Sequence, residues 1–183
     1  MRRLSKILVA TALVLGMVAA GTPALAQENA PPARSHAQKG NITGLSIWGI
    51  LAYGGGFGAG ARFAIPVGSS GIFRNNPQLS DQFAVELGAD VIFWNYAGYG
   101  TETDIIPTAG FMWVFWLMHG KLGLYPKIDL GYHIYTSSIA GISGVYSGLY
   151  FQGVAGIIYR TGSVSFRGEV GSGMLKIGVA LNF

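Results

Sequence analysis

The chain has 183 residues and no cysteine. In an exported protein that excludes a disulfide framework, so the fold must close by hydrogen bonding and packing alone. Charge is scarce as well, at 11% of residues. Beyond the N-terminal segment there is no run of about 18 uninterrupted apolar residues of the kind a membrane-spanning helix needs. The nearest candidate, residues 105–118, is short and carries Pro107 and Gly110. Catalytic and cofactor signatures are also missing. There is no P-loop, no HExxH and no G-x-S-x-G. Gly56-x-Gly58-x-x-Ala61 matches a loose dinucleotide fingerprint only in spelling, because no βαβ unit surrounds it. His36 and His119 lie far apart, without ligand spacing for a metal. No cofactor and no metal is expected, and no internal repeat is evident.

What is present begins with an export signal. Arg2, Arg3 and Lys6 form a basic n-region, residues 7–20 an apolar core, and Pro23-Ala24-Leu25-Ala26 a small-x-small cleavage site. Residues 1–26 are therefore set aside as a signal peptide. No cysteine follows the apolar core, which excludes a lipoprotein. Of the twelve basic residues, three belong to the signal, leaving nine against eight acids and a mature net charge of about +1. The full-chain pI of 9.4 thus comes largely from the discarded segment. It does not imply nucleic acid as a partner, which would need a basic patch on the mature protein. Residues 27–43, with Pro31-Pro32, read as a flexible periplasmic leader. Asn41-Ile42-Thr43 spells a glycosylation sequon, but a bacterial-type signal argues against its use.

Twenty-nine glycines and a mean hydropathy of +0.41 are unusual for a water-soluble domain. The mature chain reads instead with a period of two, the mark of strands with one apolar and one polar face. The C-terminal segment is the clearest case. Apolar side chains fall on the odd positions from Leu175 to Phe183, and small or polar ones mostly on the even positions. Eight candidate strands emerge, roughly 44–52, 57–67, 83–96, 105–117, 121–136, 148–161, 164–171 and 174–183. In the third, Phe83, Val85, Leu87, Ala89, Val91 and Phe93 share one face, opposite Glu86, Gly88, Asp90, Ile92 and Trp94. The first strand is the least clean, with Ile47 and Leu51 opposing Trp48 and Ile50. A chain that crosses a bilayer without helices must satisfy its backbone in a closed barrel. The expected fold is all-β: an eight-stranded antiparallel up-and-down transmembrane barrel over residues 44–183.

If the leader starts in the periplasm, the outer loops are about 53–56, 97–104, 137–147 and 172–173, all short. Segment 68–82 then falls on the periplasmic side and is the longest connection, the reverse of the usual barrel. Either the first strand is misassigned or this periplasmic loop is unusual. Aromatics near strand ends (Phe93, Trp94, Tyr96, Trp113, Phe115, Trp116, Tyr159 and Phe183) suit interfacial girdles.

The strongest constellation is a set of inward charges. Arg62, Lys121, Lys127, Arg160, Arg167 and Lys176 share the expected lumen with Glu86, Asp90, Asp129 and Glu169. An eight-stranded interior has room for little beyond side chains, and unpaired buried charge is costly. The charges should pair into a plug. Against this, small lumen residues (Gly58, Gly60, Ala64, Gly88, Gly123, Gly131 and Gly178) could leave a narrow water-filled path. His133 is the only histidine in a candidate strand. With Asp129 on the same face and a hydroxyl such as Ser137 it could form a hydrolytic triad. A lone satisfied histidine is the plainer reading.

The mature chain, ending in Val179-Ala180-Leu181-Asn182-Phe183, resembles the small bacterial outer-membrane β-barrels, with a layout similar to the OmpA-, OmpX- and OmpW-like proteins. The resemblance implies an outer-membrane location and Phe183 as the signal read by the outer-membrane assembly machinery. It implies outer-membrane lipid as the surrounding partner and a monomeric state. No soluble wall-binding domain is present, so a wall tether is unsupported. Lipid-A deacylases and acyltransferases are also small barrels, but their His-x-Ser arrangement is absent, since the chain reads His133-Ile134-Tyr135. The expectation is a non-enzymatic envelope protein with a charge-plugged lumen. The alternatives are a narrow porin-like conduit for small solutes or a lipid-A-modifying enzyme.

Overall fold

A computed structural model describes residues 42–67, 71–73, 79–97, 99–139 and 142–183. The signal and nearly all of the leader lie outside the described residues. The strands are β1 (Gly44–Ala52), β2 (Gly56–Pro66), β3 (Ser80–Tyr96), β4 (Gly100–Leu117), β5 (Leu122–Ile139), β6 (Ile142–Thr161), β7 (Val164–Gly171) and β8 (Met174–Asn182). Each pairs antiparallel with its sequence neighbours, and β1 also pairs with β8, closing a barrel. Closure gives both edge strands partners and leaves the backbone of the wall satisfied from within. The seam runs from Gly44 opposite Asn182 to Ala52 opposite Met174. Just beyond it the Phe183 N–H donates to the Thr43 carbonyl at 3.0 Å.

Alternation sorts residues between the two faces. Along β1, Leu45, Ile47 and Leu51 point outward and are exposed, while Ser46, Trp48 and Ile50 are buried inside. The first strand therefore stands, and its poor alternation has a reason: its inner face is itself largely apolar. Outward prolines interrupt the ladder between β4 and β5. Paired positions are missing around Pro107 and again around Pro126, the two points where a strand lacks an N–H.

The hairpin ends correct the expected loops. β4 begins at Gly100 rather than 105, β5 runs on to Ile139, and β6 starts at Ile142 rather than 148. Segments 97–104 and 137–147 are mostly paired strand. The four middle strands are 17, 18, 18 and 20 residues long. About 9–11 tilted residues cross a bilayer, so these strands project past the end of the barrel opposite the termini. On the projecting parts most outward residues turn polar, namely Asn95, Thr101, Thr103, Thr136, Ser138 and Ser147, while Val145 is an exposed exception.

Candidate functional site

Inside the barrel the side chains form three layers, legible along single strands. In β3 the inward series runs Ala84, Glu86, Gly88, Asp90, Ile92. In β6 it runs upward as Ile158, Gly156, Val154, Gln152, Tyr150. At the terminus end lies an apolar cluster of Ile42, Ala64, Ala84, Met112, Val114, Trp116, Tyr125 and Ile158. At the hairpin end lies another, of Trp48, Ile50, Ala52, Ile92, Ile106, Tyr150 and Met174, with Trp94 packed against it. Trp94 and Trp116 thus belong to the interior and not to the aromatic girdles.

Between the two apolar layers sits the charge. Four cations (Arg62, Lys127, Arg167 and Lys176) and four carboxylates (Glu86, Asp90, Asp129 and Glu169) are all at most 4% exposed. Arg62 is the hub. Its guanidinium lies 2.6 Å from Asp90, 3.3 Å from Asp129, 3.4 Å from Glu86 and 3.7 Å from Glu169. Lys127 reaches Glu169 at 2.6 Å, Glu86 at 2.9 Å and Asp129 at 3.4 Å. Arg167 pairs with Glu86 at 2.8 Å, and Lys176 with Asp90 at 2.7 Å. The signs balance, as a water-poor interior requires.

Aromatic rings bind this layer to its neighbours. The Arg167 guanidinium lies 4.9 Å from the centre of the Trp48 ring and 5.6 Å from that of Tyr125. The Tyr125 hydroxyl donates to Glu169 at 2.8 Å. The Trp48 indole donates to Ser46 Oγ at 2.9 Å. None of these aromatic contacts could be read from strand parity alone.

Several of the small lumen residues lie beneath large side chains. Large inward side chains lie across glycines of the adjacent strand. Asp90 rests over Gly60, Arg62 over Gly88, Trp116 against Gly123 and Trp48 over Gly178. Beyond the glycines singled out from sequence, Tyr125 covers Gly156, Gln152 covers Gly171 and Asp129 covers Gly110. A Cβ at any of these positions would meet the side chain lying over it. The glycines make room for a close-packed polar core in a narrow cylinder.

Two expected lumen cations lie elsewhere. Arg160 has inward parity but sits at the terminus-end rim, where its Nε donates to the Gly162 carbonyl at 3.2 Å. Lys121 is exposed in the turn between β4 and β5. Both are too near the strand ends to reach the charged layer.

His133 faces inward near the hairpin end, but its partner is Asp104 on β4, not Asp129. Nδ1 and Asp104 Oδ2 are 2.6 Å apart. The ring stacks on Tyr135 with centroids 4.8 Å apart and meets Tyr150 edge-on at 4.9 Å. Ser137 stands four residues further along the strand, roughly 13 Å away at strand rise. Its Oγ accepts the Ile139 N–H. The triad weighed from sequence, His133 with Asp129 and Ser137, is not assembled. Sequence reading missed Asp104 because residues 97–104 read as a loop. Among the described residues no cluster of three metal-ligating side chains occurs.

No protein-family model matches the chain, and no curated protein matches it. Solved structures do. Ail, the attachment invasion locus protein of Yersinia pestis, aligns at 11% identity and TM-score 0.52, covering 79% of this chain and all of that one. The N-terminal β-barrel domain of Pseudomonas aeruginosa OprF aligns at 17% identity and TM-score 0.49, over 79% and 98% of the two chains. The outer membrane enzyme PagL aligns at 11% identity and TM-score 0.49, over 76% and 99%. At 11% identity the likeness to Ail shows the fold alone, a small closed β-barrel.

Proposed function

We propose that this chain is a barrel of the bacterial outer membrane that conducts no solute and carries out no chemistry, serving the integrity of the envelope. The observation that carries the reading is the layering of the lumen. A neutral network in which each charged side chain has an oppositely charged partner lies between two apolar clusters, which leaves hydrated solute no continuous polar path. An ion entering would have to break buried pairs and cross two apolar layers. The outward face supports placement in a bilayer. It is apolar through the middle of the strands and turns mostly polar on the projecting hairpins. The barrel's two ends, Gly44 of β1 and Asn182 of β8, then lie on the periplasmic side, and the projecting β3–β6 hairpins face outward.

Catalysis would need a nucleophile beside the His133–Asp104 pair, and Ser137 stands too far off. Three measurements test the reading together. Liposomes carrying the refolded protein should swell in small sugars and amino acids no faster than protein-free liposomes. Lipid A from cells with and without the protein should give identical mass spectra, while cells lacking it should leak periplasmic markers under detergent. Solute-dependent swelling would replace the plug with a conduit. A lost or gained acyl chain would replace it with an enzyme.

A further inference from the structure

Among the described strand residues, the outward parity carries one charged side chain, Asp81 at the start of β3. A carboxylate at the edge of an apolar band is costly unless its oxygens are engaged. Asp81 is only 6% exposed. What covers it is the described part of the long β2–β3 connection, Gly71–Phe73. The Ile72 and Phe73 N–H groups each donate to a different Asp81 carboxylate oxygen at 2.8 Å. The Trp113 indole adds a third bond at 2.7 Å. The Gly71 N–H donates to the Asp81 carbonyl at 3.0 Å. Gly71 lies so close over the carboxyl group that a Cβ there would collide with it. Asp81 therefore holds Gly71–Phe73 against the outer wall of the barrel.

This contact adds a ring to an outward aromatic patch. Phe73 lies parallel to Trp113 at 6.4 Å and tilted on Phe115 at 6.4 Å. Trp113 stacks on Phe83 at 5.4 Å, and Phe83 on Phe111 at 5.7 Å. The patch is continuous with the apolar band of β3 and β4. Yet Ile72 stays 66% exposed and Phe73 40%. Side chains pinned in place and still bare need an apolar surrounding, and the band beside them ends at the membrane boundary.

We propose that Gly71–Phe73 is an interfacial anchor, with Ile72 and Phe73 seated in the lipid leaflet that faces the periplasm. The inference rests on the barrel spanning a membrane. It places the described part of the long terminus-end connection, Gly71–Phe73, along the membrane boundary. There an engaged carboxylate, an indole N–H and apolar rings meet both polar and apolar surroundings. The contact needs no protein partner.

The absence of cysteine makes the test clean. A nitroxide on Ile72→Cys in the full mature chain, refolded into phosphatidylcholine–phosphatidylglycerol vesicles, reports its surroundings by power saturation with oxygen and a water-soluble nickel complex. Phe111→Cys marks the lipid band, and Ser163→Cys marks an exposed turn. The Ile72 label should follow the Phe111 label, with nickel accessibility several-fold below that at Ser163. Adding Asp81→Ala should raise it toward the Ser163 value, and a Phe73→Cys label should repeat the pattern. Nickel access at Ile72 equal to that at Ser163 would overturn the anchor. So would spin–spin broadening between labels, which would mean that a second copy covers the patch. If the Phe111 label itself reports water, the membrane-spanning reading fails; if Phe111 reports lipid and Ile72 water, the anchor alone fails.

Discussion

Replacing Arg62 with methionine removes the one side chain that reaches all four lumen carboxylates, at 2.6–3.7 Å. Methionine keeps much of the volume, so the main change is charge. Lys127, Arg167 and Lys176 are then left against Glu86, Asp90, Asp129 and Glu169, one negative charge in excess in a layer without solvent exposure. Breaking a buried pair by deleting one partner costs about 3–5 kcal/mol. That lowers the folded-to-unfolded ratio by roughly two to three and a half orders of magnitude. With a urea slope of about 1–3 kcal/mol/M, the unfolding midpoint falls by about 2 M. The assay is reversible urea unfolding in lipid vesicles, read by tryptophan fluorescence. Arg160→Met, at the rim, is the control and should stay within about 0.5 kcal/mol of the parent. Arg62→Met with Asp129→Leu restores balance, because Lys127 keeps Glu86 and Glu169. The double variant should be more stable than Arg62→Met alone. If Arg62→Met lies within about 1 kcal/mol of the parent, or the double variant loses the sum of both changes, the lumen charges are not a single paired network.

Gly156→Val drives a side chain into the Tyr125 ring and should cost about 1–3 kcal/mol, whereas the outward Gly153→Val meets nothing within 4 Å and should be near neutral in the same assay. Asp104→Ala removes the partner of His133 and should cost about 1–2 kcal/mol; adding His133→Ala should cost little more, as a double-mutant cycle would show. Pro107→Val supplies an N–H where the β4–β5 ladder is interrupted and should stabilise by about 0.5–1.5 kcal/mol, with slower amide exchange at the neighbouring positions of β5.

Strand alternation made most of the wall legible, because lipid and lumen impose opposite demands on neighbouring residues. The parity of Arg62, Glu86, Asp90, Lys127, Asp129, Arg167, Glu169 and Lys176 could be read from sequence, and all eight lie in the central layer. The same parity gave Arg160 and Lys121 no depth, and both lie at the rim. Alternation fades where both faces of a strand carry polar side chains. Thr101-Glu102-Thr103-Asp104 therefore read as a loop, although it is paired strand. Losing that stretch hid the partner of His133. The distances between charges, the rings sandwiching Arg167 and the cover over Asp81 depend on strand register and on Gly71–Phe73 lying against the wall. Neither leaves a periodic trace in the sequence.

Single-channel recording on the refolded protein in a planar bilayer tests the sealed lumen most directly. The paired charge layer between apolar clusters predicts a flat baseline at voltages that leave the bilayer intact, for the parent chain and for Asp104→Ala alike. Steady, uniform current steps from the parent chain would mean that ions cross the layer, and the lumen would have to be read as a conduit.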